Sequence, residues 1–199
     1  GLGRRTKQYR GYDLDETAYS EASTLSDDTV VDQTELTYDA ASNVIQTTLR
    51  QRYHSATGTG ELNGPSGTQP KSRITYTAAW HDPLGRTIAT ADYGTNGGTS
   101  LTRPSTLPDR SDTVLVTSMT YNSAGQLSTT MNPAGITTYM EYDDAARQTK
   151  IVQNWTAGSS SSSSSSSSGP FESDDVNVTV ETAYNADGNV STITAVNSI

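Results

Sequence analysis

The sequence contains no cysteine and is poor in the large aliphatic residues that fill a conventional core. Only 30 of its 199 residues are Leu, Ile, Val or Phe, too few for a compact α/β domain of this length. The absence of cysteine excludes disulfides but indicates no particular compartment. No signal peptide and no apolar run of membrane-spanning length is present, so membrane insertion is not expected.

Positive charge is also scarce, because the formal net charge at pH 7 is -9. The only basic cluster consists of Arg4, Arg5, Lys7 and Arg10, which we interpret as a solvated strand face. Binding a phosphate backbone requires clustered Lys and Arg. A nucleic-acid partner is therefore not expected.

What the chain has instead is 32 Thr and 11 Tyr, residue types that suit a pleated, half-buried strand. Before Tyr184, the residues Val178, Val180 and Thr182 alternate with polar neighbours, and this period of two is typical of a β-strand. The composition and alternation together predict an all-β fold.

A short pattern recurs along the chain: an aromatic residue, Asp or Asn, two variable residues, a small residue and a polar one. The copies begin 43, 40, 21 and 42 residues apart, close to multiples of 21. Gly1-Leu2-Gly3-Arg4 resembles the end of one more copy. A fixed period over the whole chain indicates a repeat architecture. The five copies start at Tyr38, His81, Tyr121, Tyr142 and Tyr184.

Each copy is predicted to be a β-hairpin whose Asp or Asn bonds to the turn backbone and whose Gly takes a positive φ. The structural residues of the repeat are Tyr38, Asp39, His81, Asp82, Gly85, Tyr121, Asn122, Gly125, Tyr142, Asp143, Tyr184, Asn185 and Gly188. Ser42 and Ala146 replace Gly, so either Asn43 takes the left-handed position or these turns carry about 1 kcal/mol of strain. The apolar row ending at Trp80 is one residue out of phase with His81, which predicts a bulge there.

These motifs resemble the YD repeats of the rearrangement-hotspot (Rhs) family, which also occur in teneurins and wall-associated bacterial proteins. The carrying segments are Tyr142 to Arg147, His81 to Arg86 and Asn132-Pro133-Ala134-Gly135. The resemblance implies tandem hairpins joined into an elongated or spiralling antiparallel sheet, in some relatives a shell around a cargo. It also implies an extracellular or cell-surface location.

The chain is interpreted as one repeat array over residues 1–199, and its start at Gly1 suggests a piece of a longer protein. Four inserts, 11–29, 55–71, 94–112 and 157–175, interrupt the pattern. In a stacked array they emerge opposite the Tyr-Asp turns, where loops of repeat proteins often form an interaction surface. The alternative is that some inserts are degenerate repeats that still contribute a strand.

The fourth insert contains ten consecutive serines, which form a flexible polar loop by composition and are candidate O-glycan acceptors. Asn154, Asn177 and Asn189 each begin an N-glycan acceptor tripeptide. The serines are Ser159, Ser160, Ser161, Ser162, Ser163, Ser164, Ser165, Ser166, Ser167 and Ser168.

No nucleophile motif, phosphate loop or metal-ligand spacing occurs, so we expect no enzyme activity, no cofactor and no metal. The favoured function is a non-catalytic structural segment of an extracellular fibre, shell or scaffold that assembles with copies of itself or with further repeats of the same chain. The alternative is a carbohydrate-binding or adhesion module that uses the inserts and aromatics such as Tyr93 and Trp155.

Overall fold

The computed structural model describes residues 3–15, 17–18, 24–156 and 176–196. The chain divides into two compact units, Gly1–Val116 and Thr117–Ile199. Its regular structure within the described residues consists of β-strands and a short 3₁₀ turn at Asn96–Gly98. No helix found there is long and apolar enough to cross a membrane.

The first unit contains five strands that pair in chain order, each antiparallel to the next. Turns 39–43 and 82–86 therefore lie at one end of these strands, and the longer connections lie at the other end. The strands are β1 (Lys7–Tyr12), β2 (Thr29–Tyr38), β3 (Val44–Arg52), β4 (Ser72–His81) and β5 (Thr87–Gly94).

The second unit follows the same meander, beginning with a strand that crosses the boundary between the units. Turns 122–126, 143–147 and 185–189 lie at one end of its strands, and turn 132–136 lies at the other. The strands are β6 (Leu115–Tyr121), β7 (Leu127–Met131), β8 (Thr137–Tyr142), β9 (Gln148–Gln153), β10 (Val178–Tyr184) and β11 (Val190–Val196). The prediction of an all-β chain of tandem hairpins is confirmed.

One hydrogen-bonding scheme closes each of the six five-residue turns that join adjacent strands in the described residues. The first of five turn residues is Asp or Asn, and its N–H donates to the carbonyl of the fifth at 2.9–3.0 Å. The fourth residue's N–H donates back to the first carbonyl at 2.9–3.2 Å. The first residue's Oδ1 accepts the fifth residue's N–H at 2.8–3.0 Å. The turns begin at Asp39, Asp82, Asn122, Asn132, Asp143 and Asn185.

The fourth turn residue always has a positive φ, because the chain must reverse there before it enters the returning strand. Gly85, Gly125 and Gly188 adopt φ of 78°, 84° and 84° at no steric cost. Ser42 and Ala146 adopt the same region, with φ of 72° and 63°. The interpretation that Asn43 takes the left-handed position is therefore wrong, and the strained alternative is what the structure shows.

The core of the first unit lies on one side of the β4–β5 hairpin. Tyr76, Ala78 and Trp80 alternate onto that side, and Ala78 and Trp80 lie opposite Ala91 and Ala89. Leu101 and Val114, from the connection after β5, pack on the cluster, and Val116 of β6 belongs to it. The predicted bulge is present between Trp80 and His81. The same register shift occurs beside the other aromatic turns, so it does not bring the apolar row into phase with His81. The row of Tyr76, Ala78 and Trp80 therefore faces the connection after β5.

We expect Ala146→Gly to stabilise the protein. The left-handed conformation costs an alanine about 1–2 kcal/mol, whereas the added freedom of the unfolded glycine costs about 0.4–1 kcal/mol, so the free energy of unfolding should rise by about 0.5–1 kcal/mol. Urea unfolding measures this change. Ala145→Gly is the matched control, since Ala145 has no positive φ, and it should destabilise. A loss of stability in both variants would contradict the strain.

Candidate functional site

The predicted repeat residues line the turn ends of the strands in each unit. Their Asp and Asn side chains also contact the fifth residue of the same turn. Asp82 Oδ2 accepts from Nε and Nη2 of Arg86 at 2.7 and 2.6 Å, and Asp143 binds Arg147 at the same distances. Asn122 donates to Gln126 at 2.7 Å, and Asn43 donates to Asp39 at 2.9 Å. These side chains therefore hold the first and fifth residues of their turn together.

Successive turns of the second unit are also joined to each other. The Arg147 guanidinium stacks 4.5 Å from the ring centre of Tyr184. The Tyr184 hydroxyl donates to the carbonyl of Gln148 at 2.9 Å. The tyrosine thus holds the residue that follows Arg147 while the arginine covers its ring, an arrangement with a favourable cation–π contribution.

The same joint occurs in the first unit. Arg4 stacks 5.0 Å from the ring centre of Tyr38, and the Tyr38 hydroxyl donates to the Arg5 carbonyl at 2.7 Å. Gly3 has a φ of 65°, as the fourth turn residue does elsewhere. The basic cluster is therefore not simply a solvated face: Arg4 is a joint residue, Arg10 pairs with Asp32, and Lys7 pairs with Glu61.

The turn carboxylates have lowered pKa values. Hydrogen bonding from the Asn43 side chain lowers the pKa of Asp39, and the Arg147 side chain does the same for Asp143. Burial acts to raise the pKa of Asp82, but hydrogen bonds from the Arg86 backbone and side chain outweigh it, and this pKa is lowered too.

The connection 53–71 packs on one side of the first sheet, which we call the covered face. Glu61 accepts from Lys7 Nζ at 2.8 and 2.9 Å and also from the Tyr9 hydroxyl. The Lys7 side chain is the main cause of the lowered pKa of Glu61. Fully buried Gln33 accepts the Leu62 N–H at 2.8 Å. The covered face bears Gln33, Thr48, Ser72, Tyr76, Ala78, Trp80, Ala89 and Ala91.

The connection after β5 is tied to the same face by Arg103. Its Nε and Nη2 donate to the Ala79 carbonyl at 3.1 and 2.9 Å, and its guanidinium stacks 4.6 Å from the Trp80 ring centre. Arg103 and Glu61 were not found by sequence reasoning, because both lie in segments without periodicity. No local signal identifies either as an anchor.

A pocket of about 460 Å³ lies where that connection leaves β5. Asp92, Asn96 and Asp112 supply polar groups to its wall, and Tyr93 and Val114 supply apolar surface. Tyr93 itself is 9% exposed, so the expectation that its ring is free to stack on a ligand is wrong. Trp155 is partly buried and stacks on Tyr139 with ring centres 5.2 Å apart.

The turn tyrosines Tyr38, Tyr121, Tyr142 and Tyr184 are all partly buried, and His81 is as well. Among the candidate glycan acceptors, Asn189 is exposed in a turn, whereas Asn154 and Asn177 are partly buried. The Asn177 N–H donates to the Asn154 carbonyl at 3.1 Å, and Asn177 Oδ1 accepts the Thr156 N–H at 3.0 Å. Insert 157–175, with Ser159 to Ser168, lies outside the described residues.

Fold and joints together define a repeat protein of tandem antiparallel hairpins. No protein-family model and no characterised protein sequence matches the chain. Solved structures with a similar chain include the crystal structures of TcdB2-TccC3-Cdc42 and of TcdB2-TccC3, at 16% and 15% identity and a TM-score of 0.37 in each case. The match covers 96% of this chain and spans 9% of the length of the other chain. The resemblance to YD repeats continues to rest on the sequence motif.

Acid should destabilise the chain through its lowered carboxylate pKa values. A folded pKa below the unfolded value stabilises above the unfolded value, and this contribution is lost as pH falls through the folded value. The urea concentration at the midpoint of unfolding should therefore stay constant from pH 7 to about 5. It should decrease once the pH drops below 4.5 and 3.8, the ordinary pKa values of Glu61 and the aspartates.

Asp143→Asn isolates the part of this pH dependence that comes from one turn. The variant keeps the Oδ1 acceptor, as Asn122 and Asn185 show, but loses the charge that pairs with Arg147. It should be less stable at pH 7 and should lose less on acidification. Parallel pH curves for the variant and the parent would refute this assignment.

Replacement of Arg103 by Ala should loosen the connection 95–114. Losing the stacked, doubly donating guanidinium removes about 1–2 kcal/mol of local stability, a factor of about 5–30 in the opening equilibrium. Cleavage in this segment by a protease without preference for arginine should accelerate accordingly. The cleavage rate of Arg103→Lys should lie between those of the parent and of Arg103→Ala. Thr102→Ala, which changes an exposed residue, should be cleaved at the parental rate. Equal rates for all variants would show that Arg103 is not the anchor.

Proposed function

We propose that this chain is a non-catalytic structural segment of an extracellular or cell-surface assembly, belonging to the YD-repeat class. The observation that carries the proposal is the uniform turn scheme, which repeats in all six five-residue turns between adjacent strands although the variable turn residues differ. Asp82 and Asp143 pair with Arg86 and Arg147 to close their turns. The repeated residues thus build the sheet.

The proposal includes assembly at the sheet edges. β11 is exposed along its whole length and carries no charged residue or proline. Such an edge pairs readily with another strand. The partner is a further repeat of the same protein or another copy of this chain.

Electron microscopy of the protein from its native source tests the structural role. We expect fibres or closed shells whose wall consists of one or two β-sheets, each roughly 10 Å thick. Native material consisting of isolated monomers of this chain would refute the proposal.

Glycosylation of the C-terminal part is also proposed, since Asn189 is exposed and the serine tract has nothing apolar to bury. Residues 151–199 contain no Lys or Arg, so trypsin releases all three Asn acceptors and the serines on one peptide that begins at Ile151. Mass spectrometry of that native peptide should show hexose increments. Enzymatic removal of Asn-linked sugar, followed by β-elimination, separates the two linkages. A bare peptide mass would contradict this part of the proposal.

The second candidate function is carbohydrate binding, and the polar pocket beside Asp92 and Asp112 favours it. Carboxylate and amide groups beside a small apolar wall suit a neutral polyhydroxylated ligand. Glycan-array screening should then find a ligand, and Asp112→Ala should weaken it at least about tenfold. Asp109→Ala is the control, since Asp109 does not line the pocket. The absence of any glycan ligand, or an equal loss of affinity in both variants, would refute carbohydrate binding at this pocket and leave the structural role as the one proposed function.

A further inference from the structure

The strands of the second unit place no charged side chain on one sheet face, which we call the uncharged face. At its turn end the guanidinium of Arg147, a turn residue, covers the Tyr184 ring. Its members follow from strand alternation and from pairs such as Met119 with Thr130, Met140 with Ile151 and Val180 with Ala195. The face bears Thr117, Met119, Tyr121, Leu127, Thr130, Thr138, Met140, Tyr142, Gln148, Thr149, Ile151, Gln153, Val178, Val180, Thr182, Tyr184, Val190, Ile193 and Ala195.

The charged residues of strands β6 to β11 all lie on the opposite face. They are Glu141, Lys150 and Glu181, and they face one another across the strands, with Lys150 and Glu181 3.6 Å apart. The two faces of this sheet therefore differ sharply in chemistry. The charged face also carries the buried side chains of Thr137 and Val152, while the uncharged face offers methionine, isoleucine, valine and tyrosine side chains.

Nothing in the described part of the unit buries the uncharged face. The buried residues described in residues 117–196 are Thr137 and Val152, and both alternate onto the charged face, where Val152 lies opposite Tyr139. On the uncharged face Ile193 is 66% exposed, and the other large apolar side chains remain partly exposed. Exposed apolar patches of this kind mark interaction surfaces.

We propose that the uncharged face packs against the same face of a second copy of this chain, forming a two-layer sandwich around a two-fold axis. A two-fold contact packs the face against itself, so a charged strand residue on it would be buried without an opposite charge to pair with. The strands place none there, and Arg147, at the turn end, is already paired with Asp143. The remaining polar groups are threonine and tyrosine hydroxyls and glutamine amides, which both donate and accept hydrogen bonds and can therefore pair with the same kinds of group on the other copy.

The size of the face agrees with a specific but modest contact. Strands about 4.8 Å apart and a rise of about 3.3 Å per residue give a footprint of roughly 500 Å² on each copy, about 1,000 Å² in total. That total is near the lower limit for a biological interface, so dissociation in the micromolar range is expected. This contact is independent of the edge-to-edge assembly proposed above.

Sedimentation velocity of the 199-residue chain, from about 1 to 500 µM, tests the proposal. We expect a monomer–dimer equilibrium that Val180→Lys weakens at least about tenfold, because the contact would bury the new charge among uncharged side chains with no partner. Thr179→Lys is the matched control, since it places the same charge on the other face of the same strand, and it should leave the dimer intact. Circular dichroism of both variants checks that they fold.

Single-cysteine variants give a second measurement, because the chain has no native cysteine. Val180→Cys should be joined by a bis-maleimide far more efficiently than Thr179→Cys. A parent chain that stays monomeric throughout overturns the proposal. Dispersal by both lysine variants alike, or equal cross-linking of both cysteine variants, overturns it as well. Growth beyond a dimer that neither lysine disturbs would instead identify edge pairing and would leave the structural role standing.

Discussion

The sheet depends on one hydrogen bond, from the N–H of the fifth turn residue to Oδ1 of an Asp or Asn. This bond fixes the length of each turn and hence the register of the two strands that meet there. A slip of one residue would move every side chain of a strand to the other face. Asp and Asn are interchangeable for this purpose because both carry Oδ1, and Asp82 and Asp143 add an ion pair with the arginine that ends their turn.

The hairpins could be predicted from the sequence because everything that makes them is local. Alternation defines the strands, and the spacing from Asp82 to Gly85 defines the turn. The joints between turns could not be predicted, since the Arg4 guanidinium and the Tyr38 ring, 34 residues apart in sequence, meet only after β1 and β2 have paired. Glu61 and Arg103, which anchor the connections, could not be predicted from the sequence either, because their partners lie in distant strands.

The apolar residues of a hairpin lie either on the face of its turn aromatic or on the opposite face, and the sequence alone did not reveal which of these faces is covered. In the β4–β5 hairpin Trp80 precedes the turn residue His81 and so lies on the other face, where the connection with Arg103 covers it. In the β10–β11 hairpin Val180 and Thr182 share the face of Tyr184, where Arg147 covers the tyrosine ring but Ile193 stays 66% exposed. The expected bulge at Trp80 does not correct this difference, because every aromatic turn has one.

Pairing between chain neighbours gives each unit a low contact order. A hairpin closed by five turn residues forms before distant parts of the chain need to meet, so the sheet can grow strand by strand from either end of the unit. Lengthening a connection is inexpensive by comparison, since each doubling of a loop costs only about 0.6 kcal/mol in closure entropy. The end of the sheet opposite the aromatic turns is therefore free to acquire new sequence over evolutionary time while the order of the strands stays the same.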